Sequence, residues 1–158
     1  MSRIPAGSEP LLELFQTELE TLTALMDRII PADEFPSASA AGVLNYIQRI
    51  FDTDLRAAQD SFISGLGMLY REAEARHSAP FARIAPTQQD TLISELAKND
   101  TTCVWSAPAA DFIRAAINLV SEGYYADPGN GGNLDEISWR MIGFKIAEGI
   151  RLPVECAQ

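Results

Sequence analysis

Residues 123–136 contain the side chains whose types and spacing could do chemistry. Five of them carry oxygen atoms that could bind a cation or move a proton: Asp127, Asn130, Asn133, Asp135 and Glu136. A calcium-binding loop needs ligands at its third and fifth positions, and both are glycine when the loop is counted from Asp127. The pattern therefore does not predict a metal site. A free-standing helical enzyme that uses Asp127 and Asp135 as an acid pair remains an alternative.

Reactive side chains elsewhere in the chain are isolated from one another. His77 is the only histidine, and it follows Glu74 and Arg76 at the predicted C-terminal end of a helix. A cation gains from the helix dipole there, which favours a solvated surface histidine over a catalytic base. Cys103 and Cys156 are too few for a disulfide framework, and they could pair with each other, pair across subunits or stay reduced. We therefore expect no catalytic, cofactor-binding or metal-binding residue in this chain.

Two glycine-containing segments have the composition of phosphate-binding loops without their sequence context. Residues 65–67 (GLG) fall inside a helical pattern, and no strand precedes them. Residues 129–132 (GNGG) lack the Lys-Ser/Thr ending and the strand–loop–helix arrangement that such loops require. Neither segment predicts a nucleotide site.

Composition excludes several classes of partner. The chain has 158 residues, of which 47% are hydrophobic, and this is enough for one domain with its own core. Its net charge of −10 disfavours nucleic acid, because binding to phosphates needs an excess of Lys and Arg. The same charge disfavours an anionic membrane surface. No apolar run approaches the roughly 20 residues that a transmembrane helix needs.

Apolar residues recur with the 3.6-residue period of a helix, and the alternation typical of strands is absent. We predict an all-α fold, a compact bundle of about five or six helices. A loop rich in glycine, asparagine and aromatic residues follows near the C-terminus. The predicted single helical domain spans residues 1–158, with a loose lead-in at 1–16 and a tail at 147–158.

Capping signals predict where the helices begin and end. A capping box at residues 17–20 should begin the first helix, which Pro31 ends because the residue before proline avoids the α region. The remaining predicted elements are a second helix from Ser37 or Ser39, a third capped by residues 52–54, a fourth capped by Thr87, a fifth over 107–122, and a short helix or irregular packed segment over 137–146.

Three further expectations concern the helix faces. The charged residues 72–78 should fray from the third helix into a turn. Gly65 and Gly67 cost helix propensity and should mark a close helix crossing or a bend. The apolar spacing also predicts that the apolar residues of the third and fifth helices face the core, among them Leu55, Ala58 and Ile117.

Four blocks of sequence resemble gluconate 2-dehydrogenase subunit 3 proteins. They are residues 25–33 (LMDRIIPAD), residues 41–43 (AGV), residues 81–84 (FARI) with Gln88 and Gln89, and residues 123–128 (GYYADP) with 131–133 (GGN), Trp139 and 142–144 (IGF). The blocks lie in the same order and cover most of the chain from residue 17 to residue 144. The loop and its spacing to Trp139 form the most specific block.

The resemblance implies a small, non-catalytic subunit that binds, stabilises and helps mature the large subunit of a membrane-associated dehydrogenase. In that family the large subunit is similar to glucose–methanol–choline oxidoreductases, carries the FAD, and acts on sugars, sugar acids, polyols or glycosides. A multihaem cytochrome c often accepts the electrons. The folded pair is usually exported to the bacterial periplasm through a twin-arginine signal on the small subunit. The first residues of this sequence contain no twin arginine and no hydrophobic signal region, which read literally predicts a cytoplasmic chain.

Under this interpretation the loop either contacts the partner or shapes the chain by packing against the bundle. The residues concerned are Tyr124, Tyr125, Asp127, Pro128, Gly131, Gly132, Asn133, Trp139 and Phe144. Tyr and Trp supply a large contact area at low entropic cost, and bare glycine backbone permits close approach by another chain. A transient export chaperone that releases its client is a further alternative.

Overall fold

The computed structural model describes Leu14 and residues 16–144. The predicted tail at 147–158, nearly all of the predicted lead-in, and Cys156 lie outside these residues. Six α-helices form the described part of the chain, and no strand occurs in it, so the prediction of an all-α bundle is confirmed. The helices are α1 (Gln16–Ile29), α2 (Val43–Asp52), α3 (Gln59–His77), α4 (Pro86–Leu96), α5 (Ala109–Tyr125) and α6 (Ile137–Met141).

The core lies where α1 packs against α3, α4 and α5, while α2 packs against α5. On α1 the buried stripe is Leu22, Leu25 and Met26, at the spacing that the sequence predicts. On α5 the stripe contains Ile113, Ala116 and Val120 as expected, but Leu119 is buried and Ile117 is exposed. The prediction for Ile117 was therefore wrong. Because positions 117 and 119 are both apolar, the periodic pattern does not decide which of the two faces the core.

Helix α2 begins at Val43, several residues after the predicted start at Ser37 or Ser39. Ser39 is instead bound to α1, since its N–H and hydroxyl donate to the carboxylate of Asp27 at 2.9 and 2.7 Å. Gly42 then adopts φ +77, a left-handed conformation that stops a helix from running through it. The chain between Pro31 and Gly42 is consequently a connection held by α1.

The other predicted caps also lie away from the helix starts. Thr17 is inside the first turn of α1, and α3 begins at Gln59 after a 3-10 turn over Arg56–Ala58. Leu55 and Ala58 flank or belong to that turn and are exposed, contrary to the prediction. Helix α4 begins one residue before Thr87 because a proline already fits the first helical position. The side chain of Gln88 accepts the N–H of Ala85 at 2.9 Å.

Residues 72–78 do not fray, because Glu72 is fully buried and anchors the segment that precedes α5. Its carboxylate accepts the N–H groups of Thr102 and Cys103 at 3.0 and 2.8 Å and the indole N–H of Trp105 at 3.0 Å. Arg76 donates to it at 3.1 Å. Burial raises the pKa of Glu72, but the hydrogen bonds outweigh burial and leave its pKa below the ordinary value.

Arg76 extends this network to α4. Its guanidinium forms an ion pair with Glu95 and donates to the carbonyl of Asp100 at 2.8 Å. A second charged contact, between Arg28 and Asp90, joins α1 to α4 through two N–H···O bonds of 2.7 Å. Bidentate pairs of this kind define the relative position of two helices more strictly than single contacts do.

The two glycines of α3 differ in their surroundings. A Cβ atom at Gly65 would overlap Cδ2 of Phe112 on α5, whereas a Cβ atom at Gly67 would meet nothing within 4 Å. Gly65 therefore marks a close crossing of α3 and α5, as predicted. No comparable contact explains Gly67.

We predict that Gly65→Ala destabilises the fold by about 1–3 kcal/mol, because Phe112 would have to move within a packed core. Gly67→Ala is the matched control on the same helix. It should stabilise the fold by up to about 1 kcal/mol, since alanine has the higher helix propensity. Urea unfolding followed by circular dichroism measures both changes. Equal effects of the two substitutions would contradict the close crossing.

We predict that Glu72→Gln lowers the free energy of unfolding by about 1–3 kcal/mol at pH 7, because an amide NH₂ would face N–H donors. The folded-state pKa of Glu72 lies below the ordinary 4.5. The contribution of Glu72 to the free energy of unfolding is therefore complete above pH 4.5 and is lost as the pH falls through the folded-state pKa. The difference in free energy of unfolding between wild type and variant should therefore shrink as pH falls below 4.5. The exposed Glu74→Gln is the control, and a pH-independent difference would refute the prediction.

Candidate functional site

The segment that follows α5 is positioned by the last turn of that helix. Gly123, Tyr124 and Tyr125, which the sequence places in the loop, are helical. Tyr124 is buried and its hydroxyl donates to the carbonyl of Pro36 at 2.8 Å, so it joins α5 to the connection before α2. Burial raises the pKa of this phenol, which keeps it protonated and able to donate. Tyr125 packs edge-on against Tyr124 and is 51% exposed.

A tight turn over Pro128–Asn130 comes next and is capped by Asp127. The Asp127 carboxylate accepts the N–H of Gly129 at 2.7 Å, which is the local bond that favours Asp at the start of turns. Arg49 of α2 donates to the carbonyl of Gly129 at 2.6 Å. Asp127 therefore serves the turn, and the turn is fastened to α2.

Gly131 and Gly132 lie against the chain's own helices. A Cβ atom at Gly132 would overlap the carbonyl oxygen of Gly123, and one at Gly131 would lie 3.3 Å from backbone atoms of Asn45. Gly131 also has φ +100, which favours glycine. The bare backbone of these two glycines is thus in close contact with α5 and α2 of the same chain.

Asn133 closes the segment. It is fully buried with φ +48, a conformation that asparagine tolerates better than most residues. Its Nδ2 donates to the carbonyl of Ala126 at 2.9 Å, and its Oδ1 accepts the N–H of Ser138 at 2.8 Å. The next N–H, of Leu134, donates to the carbonyl of Ala41 at 3.0 Å. One amide side chain thus joins the end of α5 to the start of α6.

The acidic residues of the segment have different structural roles. Asp127 caps its turn, whereas Asp135 and Glu136 are exposed and have φ values of +55 and +57. Within residues 16–144, no three His, Cys, Asp or Glu side chains come together as a metal-ligand group. Left-handed backbone at two adjacent acids is strained, and strain of this kind tends to collect at functional segments.

The same segment exposes most of the large apolar side chains found outside the core. In the described part of the chain eight such side chains are exposed, and five lie between residues 125 and 144. We call these five the C-terminal patch: Tyr125, Leu134, Met141, Ile142 and Phe144. Ile142 is the most exposed of them, at 72%. Trp139 is half-buried and packs edge-on against Phe144, with ring centroids 5.3 Å apart.

Of this patch, the sequence indicated only Tyr125 and Phe144 as candidate interface residues. It missed Leu134, Met141 and Ile142, and a usable signal was present. Residues 134–144 hold more large apolar side chains than a helix as short as α6 can turn toward a core. The surplus must face outward.

His77 and Cys103 lie away from this segment. His77 is half-buried at the end of α3, with Nδ1 3.3 Å from the amide nitrogen of Gln88. Cys103 is half-buried and has no disulfide partner among the described residues, and its N–H donates to Glu72. His77 is thus in contact with α4, and the backbone of Cys103 is bound to α3.

Comparison with known proteins adds one positive finding. A family model described as gluconate 2-dehydrogenase subunit 3 matches residues 16–145. No curated protein and no solved structure gives a significant match to the chain. Within the part that the structure describes, no helix combines the length and apolar character needed to cross a bilayer.

We predict that Gly132→Ala destabilises the C-terminal segment by about 2 kcal/mol or more, because its Cβ atom would overlap backbone that cannot move aside. Gly129→Ala is the control, since its nearest neighbour is the exposed carboxylate of Asp127 at 3.0 Å. Limited proteolysis of residues 126–136 should accelerate in Gly132→Ala and stay near the wild-type rate in Gly129→Ala. Similar cleavage rates would contradict the close approach of Gly132 to Gly123.

Proposed function

Because the chain belongs to the gluconate 2-dehydrogenase subunit 3 family, we propose that it is the accessory subunit of an FAD-dependent dehydrogenase complex. It binds, stabilises and helps mature the catalytic subunit, which holds the FAD and acts on a sugar, sugar acid, polyol or glycoside. The chain itself supplies neither a catalytic residue nor a cofactor ligand. Its contribution is a surface.

The observation that carries this proposal is the C-terminal patch. Apolar side chains that are exposed singly need no explanation, but a concentration of them in one short segment is typical of an interaction site. The segment beneath the patch is held by buried polar contacts, through Tyr124, Asn133 and the backbone contact of Gly132. A patch supported in this way loses little conformational entropy on binding, which favours affinity.

Charge supports the same proposal. The chain carries a net charge of −10, and Asp127, Asp135 and Glu136 are exposed in the segment that bears the patch. A basic rim on the catalytic subunit would accelerate association and set the register of the two surfaces, with a smaller effect on affinity.

The proposed stabilisation of the catalytic subunit follows from mass action. A partner that binds the folded catalytic subunit, and not the unfolded one, stabilises the folded state by RT ln(1 + [L]/Kd). At a subunit concentration 100 times Kd this amounts to about 2.7 kcal/mol, which is a large part of the stability of an ordinary domain. No covalent chemistry by the accessory subunit is required.

Two further elements of the proposal rest on the family alone. A cytochrome c subunit accepts electrons from the FAD, and the folded pair is exported together by the twin-arginine route to the periplasm. The chemistry of the substrate is read by the catalytic subunit and is not encoded in this chain.

The proposal is tested by purifying the tagged chain from its native cells and by passing the eluate through size exclusion. We expect a stoichiometric large partner with flavin absorption that stays bound through the column. A partner lost on the column would indicate a transient chaperone, and a colourless single chain would overturn the proposal.

We predict that Met141→Ser combined with Ile142→Ser lowers the recovery of the flavin-containing partner at least about tenfold, because two apolar contacts are lost from the interface. Ile117→Ser is the control, since Ile117 is 41% exposed, close to the 40% of Met141, and lies on α5 outside the patch. Circular dichroism should show both variants folded. Equal recovery with the two variants would show that the patch is not the interface.

A further inference from the structure

A cleft of about 370 Å³, lined by none of the residues of the C-terminal patch, runs between α3 and α5. Its base is aromatic: Phe51, Phe62, Phe112 and Trp105 form a continuous series with ring centroids 5.1, 5.5 and 5.9 Å apart. Gly65 deepens the cleft, because the absence of a side chain there lets Phe112 lie directly against α3.

The cleft is preformed. One wall is the segment over residues 105–108, which leads into α5. Its position is set by Glu72, which accepts the indole N–H of Trp105 and two N–H groups just before it. A buried carboxylate with this many donors holds the segment rigidly, so the cleft does not have to open before it can receive a side chain.

The rim of the cleft is acidic. Asp111 and Glu122 are the ionisable residues that line it, and no Lys or Arg does so in the described part of the chain. Asp111 is paired with Arg114 at 2.6 Å, so Glu122 is the rim carboxylate that remains open to a basic group. Glu122 accepts the hydroxyl of Tyr46 at 3.1 Å, and this phenol stays protonated because burial and the nearby Glu122 raise its pKa.

The rim also leads toward the C-terminal patch. Asp111, Ala115, Asn118 and Glu122 line the cleft at intervals of three and four residues, and such intervals place side chains on one face of a helix. The next position on this face is Tyr125, the first residue of the patch. One continuous stripe of α5 therefore connects the apolar cleft with the exposed apolar patch.

We propose that the cleft receives an amphipathic helix of the catalytic subunit, with apolar side chains over Phe62 and Phe112 and a Lys or Arg beside Glu122. This inference rests on the proposed function and identifies the part of the partner that is bound. A helix fits because the lining stripe of α5 from residue 111 to residue 122 spans about 16 Å, or three turns, at 1.5 Å per residue. Apolar anchors at i, i+4, i+7 and i+11 cover that length.

The area that a stable complex needs is consistent with two contact regions. A specific interface buries about 800 Å² on each partner, more than the side chains of the five-residue patch offer by themselves. The cleft and the stripe that joins it to the patch add contact surface beyond the patch. The basic flank of the docked helix would also meet the acidic charge that the chain carries.

The test uses a photo-crosslinking amino acid placed at Ala115 in the cleft, at Ile142 in the patch and at Ala97 as a control. Ala97 is exposed at the end of α4 and does not line the cleft. After irradiation of native cells that express the tagged chain, we expect adducts with the flavin-containing subunit from positions 115 and 142 and none from 97. The peptide joined to position 115 should have apolar residues at helical spacing beside Lys or Arg.

The outcomes separate this inference from the proposed function. Adducts from position 142 without adducts from 115 would overturn the cleft as a binding site and leave the accessory subunit intact. An adduct between two copies of this chain at 115 would overturn it as well. Adducts with no flavin-containing subunit from either position would overturn both proposals.

A second measurement does not depend on crosslinking. Ala115→Trp should fill the cleft and reduce recovery of the partner at least about tenfold, whereas Ala97→Trp should leave recovery unchanged, with thermal unfolding confirming that both fold. Glu122→Gln should weaken recovery less and reduce its dependence on salt, because it removes one screened charge contact. Unchanged recovery with a folded Ala115→Trp variant would overturn the inference.

Discussion

The contact between Gly132 and Gly123 is the constraint on which the exposed half of this structure depends. The approach is this close because Gly132 carries no side chain, and a methyl group there would overlap the carbonyl oxygen of Gly123. The contact places Asn133 where its amide can reach both Ala126 and Ser138. Helix α6 and the apolar side chains around it are positioned by that bridge.

The sequence blocks that resemble the family have largely architectural roles. Asp27 binds Ser39 and Arg28 binds Asp90, so one short stretch of α1 places both the connection to α2 and helix α4. Gln89, in the third block, donates to the carbonyl of Phe81 at 2.7 Å and is itself buried. These residues position the helices, and the helices in turn hold in place the surface that we propose binds the partner.

Two buried polar groups explain why the proposed binding surface is rigid. Glu72 holds the wall of the cleft, and Asn133 holds the base of the patch. Burying a carboxylate or an amide is costly unless its hydrogen bonds are satisfied, and both groups are satisfied by backbone or indole donors and acceptors. The fold thus uses satisfied polar contacts to keep apolar surface in a defined shape.

The local pattern of the sequence was sufficient for the fold class and for most of the core. The helical period is a property of neighbouring residues, so the burial of Leu22, Leu25 and Met26 on α1 could be predicted without knowing the tertiary structure. Only the tertiary structure decided where α2 begins, because that depends on a bond from Ser39 to α1. It also decided that Glu72 is buried, since its donors lie some 30 residues away in the chain. The composition of residues 134–144 indicates that some of their apolar side chains face outward, but only the tertiary structure decided which ones, because the approach of Gly132 to Gly123 that positions this segment is not encoded in any local pattern.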